Sequence, residues 1–255
     1  MADQPRKHHT VPQFYLAGFT KTDSKDGNLY VIDKSQRKTW KSTPRKTAHK
    51  RDFHAIEAKP GGDPMIFEKT LATFEARWST VVRQVLQTEE IPEDESFGDL
   101  MMFVACMAVR VTRIRGIQSD FVDRVSKAEI YAAFATEEGR ANFRRVIEGD
   151  GDKFSDEEFQ QMVDFGLSGN FDVDFEQTWH VQQMLQSMLY LAPKLSLRKW
   201  VLWIAEDDAP DLICSDSPVA PTRANPVNGP YSPAFGTPNT IVSIPLDRRV
   251  ALLCR

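Results

Sequence analysis

The sequence predicts an α+β protein, because short strand-type runs at both ends bracket a long stretch whose apolar residues recur every three or four positions. A Pro-Gly-Gly-Asp-Pro string at residues 60–64 marks where the period changes. The expectation is N- and C-terminal strands forming a mixed or antiparallel sheet, with a helical insert of four to five helices between them. The whole chain, 1–255, reads as a single domain with an N-terminal strand region (1–58), a helical region (64–192) and a C-terminal strand region (198–255).

Each element has a local cause. Leu29, Tyr30, Val31 and Ile32 have high β propensity, and a polar turn separates them from a second strand over 38–42, so the pair reads as a hairpin. Asp26-Gly27 supplies a turn signal just before it. Phe67, Leu71, Phe74, Trp78, Val81, Val82 and Val85 then lie on one face of a helix ending near Thr88. Further helices are expected over about 96–115, 119–136, 155–168 and 175–191. Ser155, followed by Asp156, Glu157 and Glu158, is a capping signal for the third of these. Strand character returns at 200–205, with 212–215 as its partner across an Asp207 to Pro210 turn, and again at 241–244 and 250–254. Residues 218–238 carry six prolines and read as loop. The chain stops inside an apolar run at Arg255, and the expectation is either a chain cut short there or an edge strand that a neighbouring chain completes, giving an oligomer through that edge.

Composition excludes several classes of protein. With 41% hydrophobic and 27% charged residues the chain can build a core and is not a disordered polypeptide. Cys106, Cys214 and Cys254 are too scattered for a disulfide framework or a cysteine metal site, which fits a reducing, cytoplasmic setting. The longest apolar run, 100–109, is too short to span a bilayer and is followed by Arg110, Arg113 and Arg115, so no membrane association is expected. Residues 1–51 hold 12 Lys or Arg against four Asp, a net of +8, which leaves −12 of the total −4 to the rest. A basic N-terminal lobe can attract a phosphate-bearing ligand or nucleic acid, or it can simply be a solvated lysine-rich edge.

The chemistry-bearing residues fall into three groups. His8 and His9 open an unusual string through Gln13, Phe14 and Tyr15. Imidazole suits metal binding or proton transfer near neutral pH, and neighbours on an extended segment aim to opposite sides, so one of the pair faces any given site. Ser215 and Asp216 stand at the end of an expected strand, where a carboxylate can bind a metal or can serve only the turn. Arg110 and Arg113 share a helical face, as do Glu68 and Glu75 on the earlier helix; the arginines can hold phosphate or pair with those acids. There is no Gly-Lys-Ser or Gly-Lys-Thr phosphate loop, no Gly-x-Ser-x-Gly elbow and no His-Glu-x-x-His motif.

His8-His9-x-Val11-Pro12-Gln13-Phe14-Tyr15-Leu16-x-x-Phe19, Asp26-Gly27-x-Leu29-Tyr30-Val31-x-Asp33-Lys34, Cys214-Ser215-Asp216-x-Pro218-Val219 and Ile244-Pro245-Leu246 together resemble domain-of-unknown-function family 4238, which is widespread in bacteria. The resemblance implies that the His8, His9 and Gln13 segment and the Ser215-Asp216 segment belong to one domain, and it implies no reaction.

The functional expectation is a metal-dependent phosphodiesterase or nuclease-like hydrolase. Its catalytic residues are His8, His9 and Asp216, with a divalent metal on His9 and Asp216 and substrate contacts from Gln13, Tyr15, Arg110 and Ser215. The alternative is a non-catalytic module binding a nucleotide, nucleic acid or protein in bacterial defence or regulation, with Phe14, Tyr15 and Trp40 available for stacking.

Overall fold

The computed structural model describes residues 7–58, 60–149, 151, 153–224 and 233–254. Arg255, where the sequence suggested an open edge, lies outside them, as does part of the proline-rich loop. The chain divides into two compact units, one built from Met1–Arg113 with Gln177–Arg255 and the other from Ile114–Glu176.

The first unit begins with β1 (Lys7–His9), whose alternation turns His8 inward while Lys7 faces solvent. Pro12 then sets an extended entry to a one-turn helix, α1 (Gln13–Ala17), which buries Tyr15, Leu16 and Ala17. The turn at Asp26-Gly27 therefore links α1 to β2 (Leu29–Asp33). A side chain on Gly27 would meet the Thr20 and Thr22 hydroxyls at 2.5 and 2.6 Å. β2 pairs antiparallel with β3 (Lys38–Ser42) in the expected hairpin. Its turn is held by Asp33, whose carboxylate accepts from Ser35 N–H, Ser35 Oγ and Gln36 N–H. β4 (His49–Arg51) returns to pair with β1, setting His8 opposite Lys50 and His9 opposite His49.

Two long helices follow, α2 (Ile66–Thr88) and α3 (Glu95–Val109). α2 buries Leu71, Trp78, Val81, Val82 and Val85, the face its spacing predicted. α3 starts at an Asp94 cap accepting from Ser96 N–H, and every residue from Leu100 to Ala108 except Met102 is buried. The strongest apolar run is thus the central core helix of this unit. α7 (Gln177–Ser196) packs along it with Val181, Met184, Met188, Leu191 and Leu195. Among the described residues no helix is long and apolar enough to cross a membrane.

The unit closes with a four-stranded antiparallel sheet in the order β5-β8-β7-β6, from β5 (Trp200–Ile204), β6 (Ala220–Arg223), β7 (Thr240–Pro245) and β8 (Val250–Cys254). The strands at the two ends of the chain thus form separate antiparallel sheets, with β1-β4 and β2-β3 apart from the C-terminal one. Three features of this sheet differ from the sequence expectation. Residues 212–215 form no strand: Leu212 N–H makes one bond to Arg248 O, and Ile213 is 86% exposed. β5 instead pairs along its full length with β8, Trp200 against Cys254 through Ile204 against Val250, because five apolar residues on each strand outweigh a short segment running into Ser-Asp-Ser-Pro. β6, inside the stretch read as loop, is an edge strand, where Pro221 can be accommodated. β8 is also not an edge, since β5 and β7 flank it; the oligomer expected through the last strand has no free edge on β8 to use.

The second unit consists of α4 (Thr112–Phe134, entering from its first residues), α5 (Glu137–Gly149) and α6 (Asp156–Ser168). With α1 and α5 the helices number seven among the described residues, above the four to five expected. α5 escaped the sequence reading because it buries no residue fully and offers mainly Phe143 and Ile147 to the small core of Phe134, Phe159 and Val163. The Ser155 cap on α6 is a complete capping box with Glu158.

Gly166 on α6 lets the helices of this unit approach. A Cβ there would sit 2.6 Å from the Phe134 ring and 2.8 Å from an Ile130 methyl. Gly166→Ala is therefore expected to destabilise by about 1–2 kcal/mol, overpacking outweighing the gain in helix propensity. A lower urea midpoint with unchanged slope is the expected readout, and an unchanged or higher midpoint would show that the contact has slack.

Candidate functional site

β1, the segment after β4 and the first turn of α2 bring together His8, His54 and Glu68. One donor atom from each lies within 4.8 Å of the others, and no other set of three such side chains converges among the described residues. Both histidines are fully buried and Glu68 is partly buried. The His8 and His54 rings stack with centroids 5.6 Å apart, and Phe53 and Phe67 close over the His54 edge. The N-terminus of α7 pins the segment that carries His54: Gln177 donates to the Asp52 and Phe53 carbonyls, and Thr178 Oγ1 accepts from Glu57 N–H at 2.8 Å.

Hydrogen-bond partners assign the tautomers. His54 N–H donates to His8 Nδ1 at 2.7 Å, so the His8 proton sits on Nε2. His54 Nδ1 lies 2.6 Å from Glu68 Oε2 and donates to the carboxylate, which leaves His54 Nε2 as a bare lone pair. Nε2 of His8 and of His54 is buried without a hydrogen-bond partner. Burial pushes the His54 imidazole down to about 4, with Arg110 and His8 helping and the Glu68 bond opposing, so the ring is neutral near pH 7. Burial pushes the Glu68 carboxyl up, but the His54 hydrogen bond and the charges of His54, His8 and Arg110 together hold it below the usual carboxylate range. An ionised carboxylate orienting a neutral imidazole is the arrangement that makes histidine a base or a metal ligand.

The residues singled out in the sequence are distributed unevenly around this centre. His8 is in it. His9 faces away, beside His49, with Nδ1 accepting from the Gln13 amide at 3.3 Å; burial and then His49 lower its pKa. Arg110 is buried beside the centre and both terminal nitrogens are engaged, Nη1 with Glu75 at 2.7 Å and Nη2 with the His9 carbonyl at 2.5 Å. The pairing of helix arginine with helix acid is therefore how this residue is used. Tyr15 is 1% exposed, donates to Pro245 O at 2.7 Å and has its phenol pushed well up by burial, so it is a core residue. Phe14 likewise packs on the core, leaving Trp40 as the exposed ring of the three proposed for stacking. Ser215 and Asp216 are exposed in a turn, where Ser215 Oγ accepts from Ser217 N–H, and Asp216 is not among the converging ligand-type side chains.

His54 escaped the sequence reading, and Glu68 was read only as an arginine partner. The available signal was the pair Glu68 and Glu75, two turns apart on one face of an amphipathic helix that also carries a buried stripe. Nothing local marks His54, whose role depends on a partner 46 residues away.

The fold and the cluster define an α+β protein with a buried carboxylate and imidazole centre assembled from its N-terminal strand, a connecting segment and its first long helix. Residues 7–255 match the family described as protein of unknown function (DUF4238), and the chain belongs to that family. No curated protein and no solved structure matches it.

Proposed function

We propose that the protein is a metal-dependent hydrolase of phosphodiesters whose divalent ion is held by His8, His54 and Glu68. The observation that carries this reading is the convergence of three ligand-type side chains from separate segments in a buried setting. At Nδ1, His54 lies 2.6 Å and His8 4.0 Å from Glu68 Oε2, and these separations straddle the roughly 3.4 Å between donors that each sit about 2.1 Å from a tetrahedral metal. An ion bound there replaces the proton between His54 and Glu68 and takes the His8 Nδ1 lone pair from the His54 backbone N–H, with shifts of about 1 Å by the same geometry. Two histidines and one carboxylate leave a coordination position for water, and such an ion supplies an activated water for hydrolysis. Arg110 is paired with Glu75 and Glu68 accepts from His54, a neutral ring, so the Glu68 charge is left for a cation. The basic character of the surrounding lobe supports a phosphate-bearing substrate. Three free cysteines, two of them buried, support a reducing cytoplasmic setting.

Metal analysis of protein purified without chelator tests the centre. The expected result is about one ion per chain, a melting rise corresponding to about 2.7 kcal/mol at a hundredfold excess over Kd, and loss of both in His54→Ala and Glu68→Gln. Hydrolysis of bis(p-nitrophenyl) phosphate should follow the metal. Metal-free protein that shows no melting shift with zinc, manganese or magnesium would overturn the proposal.

A further inference from the structure

The β2-β3 hairpin presents an open face with an exposed ring, a lysine beside it and a basic turn at its end, and we infer that this face binds single-stranded nucleic acid. Register places Tyr30 opposite Lys41 and Ile32 opposite Thr39, so these four side chains share one face of the ribbon. That face is open: Tyr30 is 76% exposed and Ile32 70%. The opposite face is anchored to the core by Leu29 and shows Trp40, 45% exposed, at the middle of the ribbon opposite Val31.

The charge around these rings is one-sided. Residues 21–51 carry ten Lys or Arg against three Asp, a net of +7. The acids are already engaged or outnumbered: Asp26 pairs with Arg45, and the Asp33 carboxylate is occupied by the Ser35 and Gln36 donors of the turn. Lys41 beside Tyr30 and Lys34 and Arg37 in the connecting turn are all exposed, and among the described residues none of them makes an ion pair; Lys38, also exposed, lies on the other face opposite Asp33. Unneutralised cations beside a solvent-facing ring match a ligand that alternates phosphates with flat apolar faces. A duplex hides its base faces in the stack, whereas a single strand offers them to Tyr30. The ribbon, five residues and roughly 17 Å long, gives such a strand a straight track. This inference stands on the hairpin alone and does not require the metal centre.

The test is fluorescence anisotropy with a 5′-fluorescein-labelled 15-mer of deoxythymidylate, in 50 mM salt with EDTA so that neither metal nor cleavage contributes. Binding is expected, falling with salt at a log-log slope of about −2 if three cations meet phosphates. Tyr30→Ala should weaken it about tenfold, Tyr30→Phe should restore it, and Arg37→Glu with Lys41→Glu should reduce both affinity and slope. The exposed positions leave the fold intact, which circular dichroism checks. Absence of binding overturns the inference. So does binding indifferent to Tyr30→Ala and equal for a 15-base-pair duplex, which indicates charge alone, or binding confined to phosphatidylserine vesicles, which indicates a membrane surface.

Discussion

Arg110→Ala is expected to lower folding stability by about 3 kcal/mol, more than a typical single substitution. The guanidinium is 1% exposed, and truncation leaves two polar groups without their donor: the Glu75 carboxylate and the His9 carbonyl. Breaking a buried ion pair from one side costs about 3–5 kcal/mol; Glu75 keeps a 25% exposed side chain that water can reach, which sets the estimate at the lower end. For a protein of this size that is a fall in melting temperature of about 6–12 °C. Arg110→Lys should fall between, since an ammonium keeps the charge but cannot span both acceptors as the planar fork does. A loss below about 1 kcal/mol in urea unfolding would show that the pair is replaceable by hydration. The same residue ties the backbone of His9 to α3, so its loss should also loosen β1 and with it His8.

Acid should unfold the chelated protein earlier than its carboxylates alone would dictate. Burial holds His54 at about 4, against an ordinary value near 6.5, so between these pH values the unfolded chain binds the proton and the folded one does not. Stability therefore rises with pH through this window. The contribution is fully present above pH 6.5 and is lost progressively as pH falls to about 4, for a total of about 3 kcal/mol. His9, lowered by burial and by His49, acts in the same direction. Glu68 adds a loss at still lower pH, because its depressed pKa favours folding above the ordinary carboxylate value and ceases to do so as the group is protonated. Urea midpoints measured from pH 7.5 to 4.5 with EDTA should trace this fall, and His54→Phe should flatten it. A wild-type profile level down to pH 5 would show that His54 is protonated in the fold.

Both expected effects concern residues whose neighbours were only partly visible in the sequence. The elements themselves were legible where a local cause sufficed. The apolar stripe of α2, the Ser155 cap of α6 and the β2-β3 hairpin each rest on contacts within a few residues, and all appear as read. Arg110 differs in range: its charge called for an acid, and the one it found, Glu75, lies 35 residues away on the preceding helix.

What the sequence by itself determined is therefore the α+β class, the amphipathic faces and the kinds of polar residue available near the N-terminus. Tertiary structure decided partners. β5 chose β8 about fifty residues on rather than the adjacent segment, because a full-length apolar ladder buries more than a short one. His8 met His54 and Glu68, while Asp216 stayed in solvent, because periodicity fixes which way a side chain faces on its own element, and only packing between elements fixes what it faces.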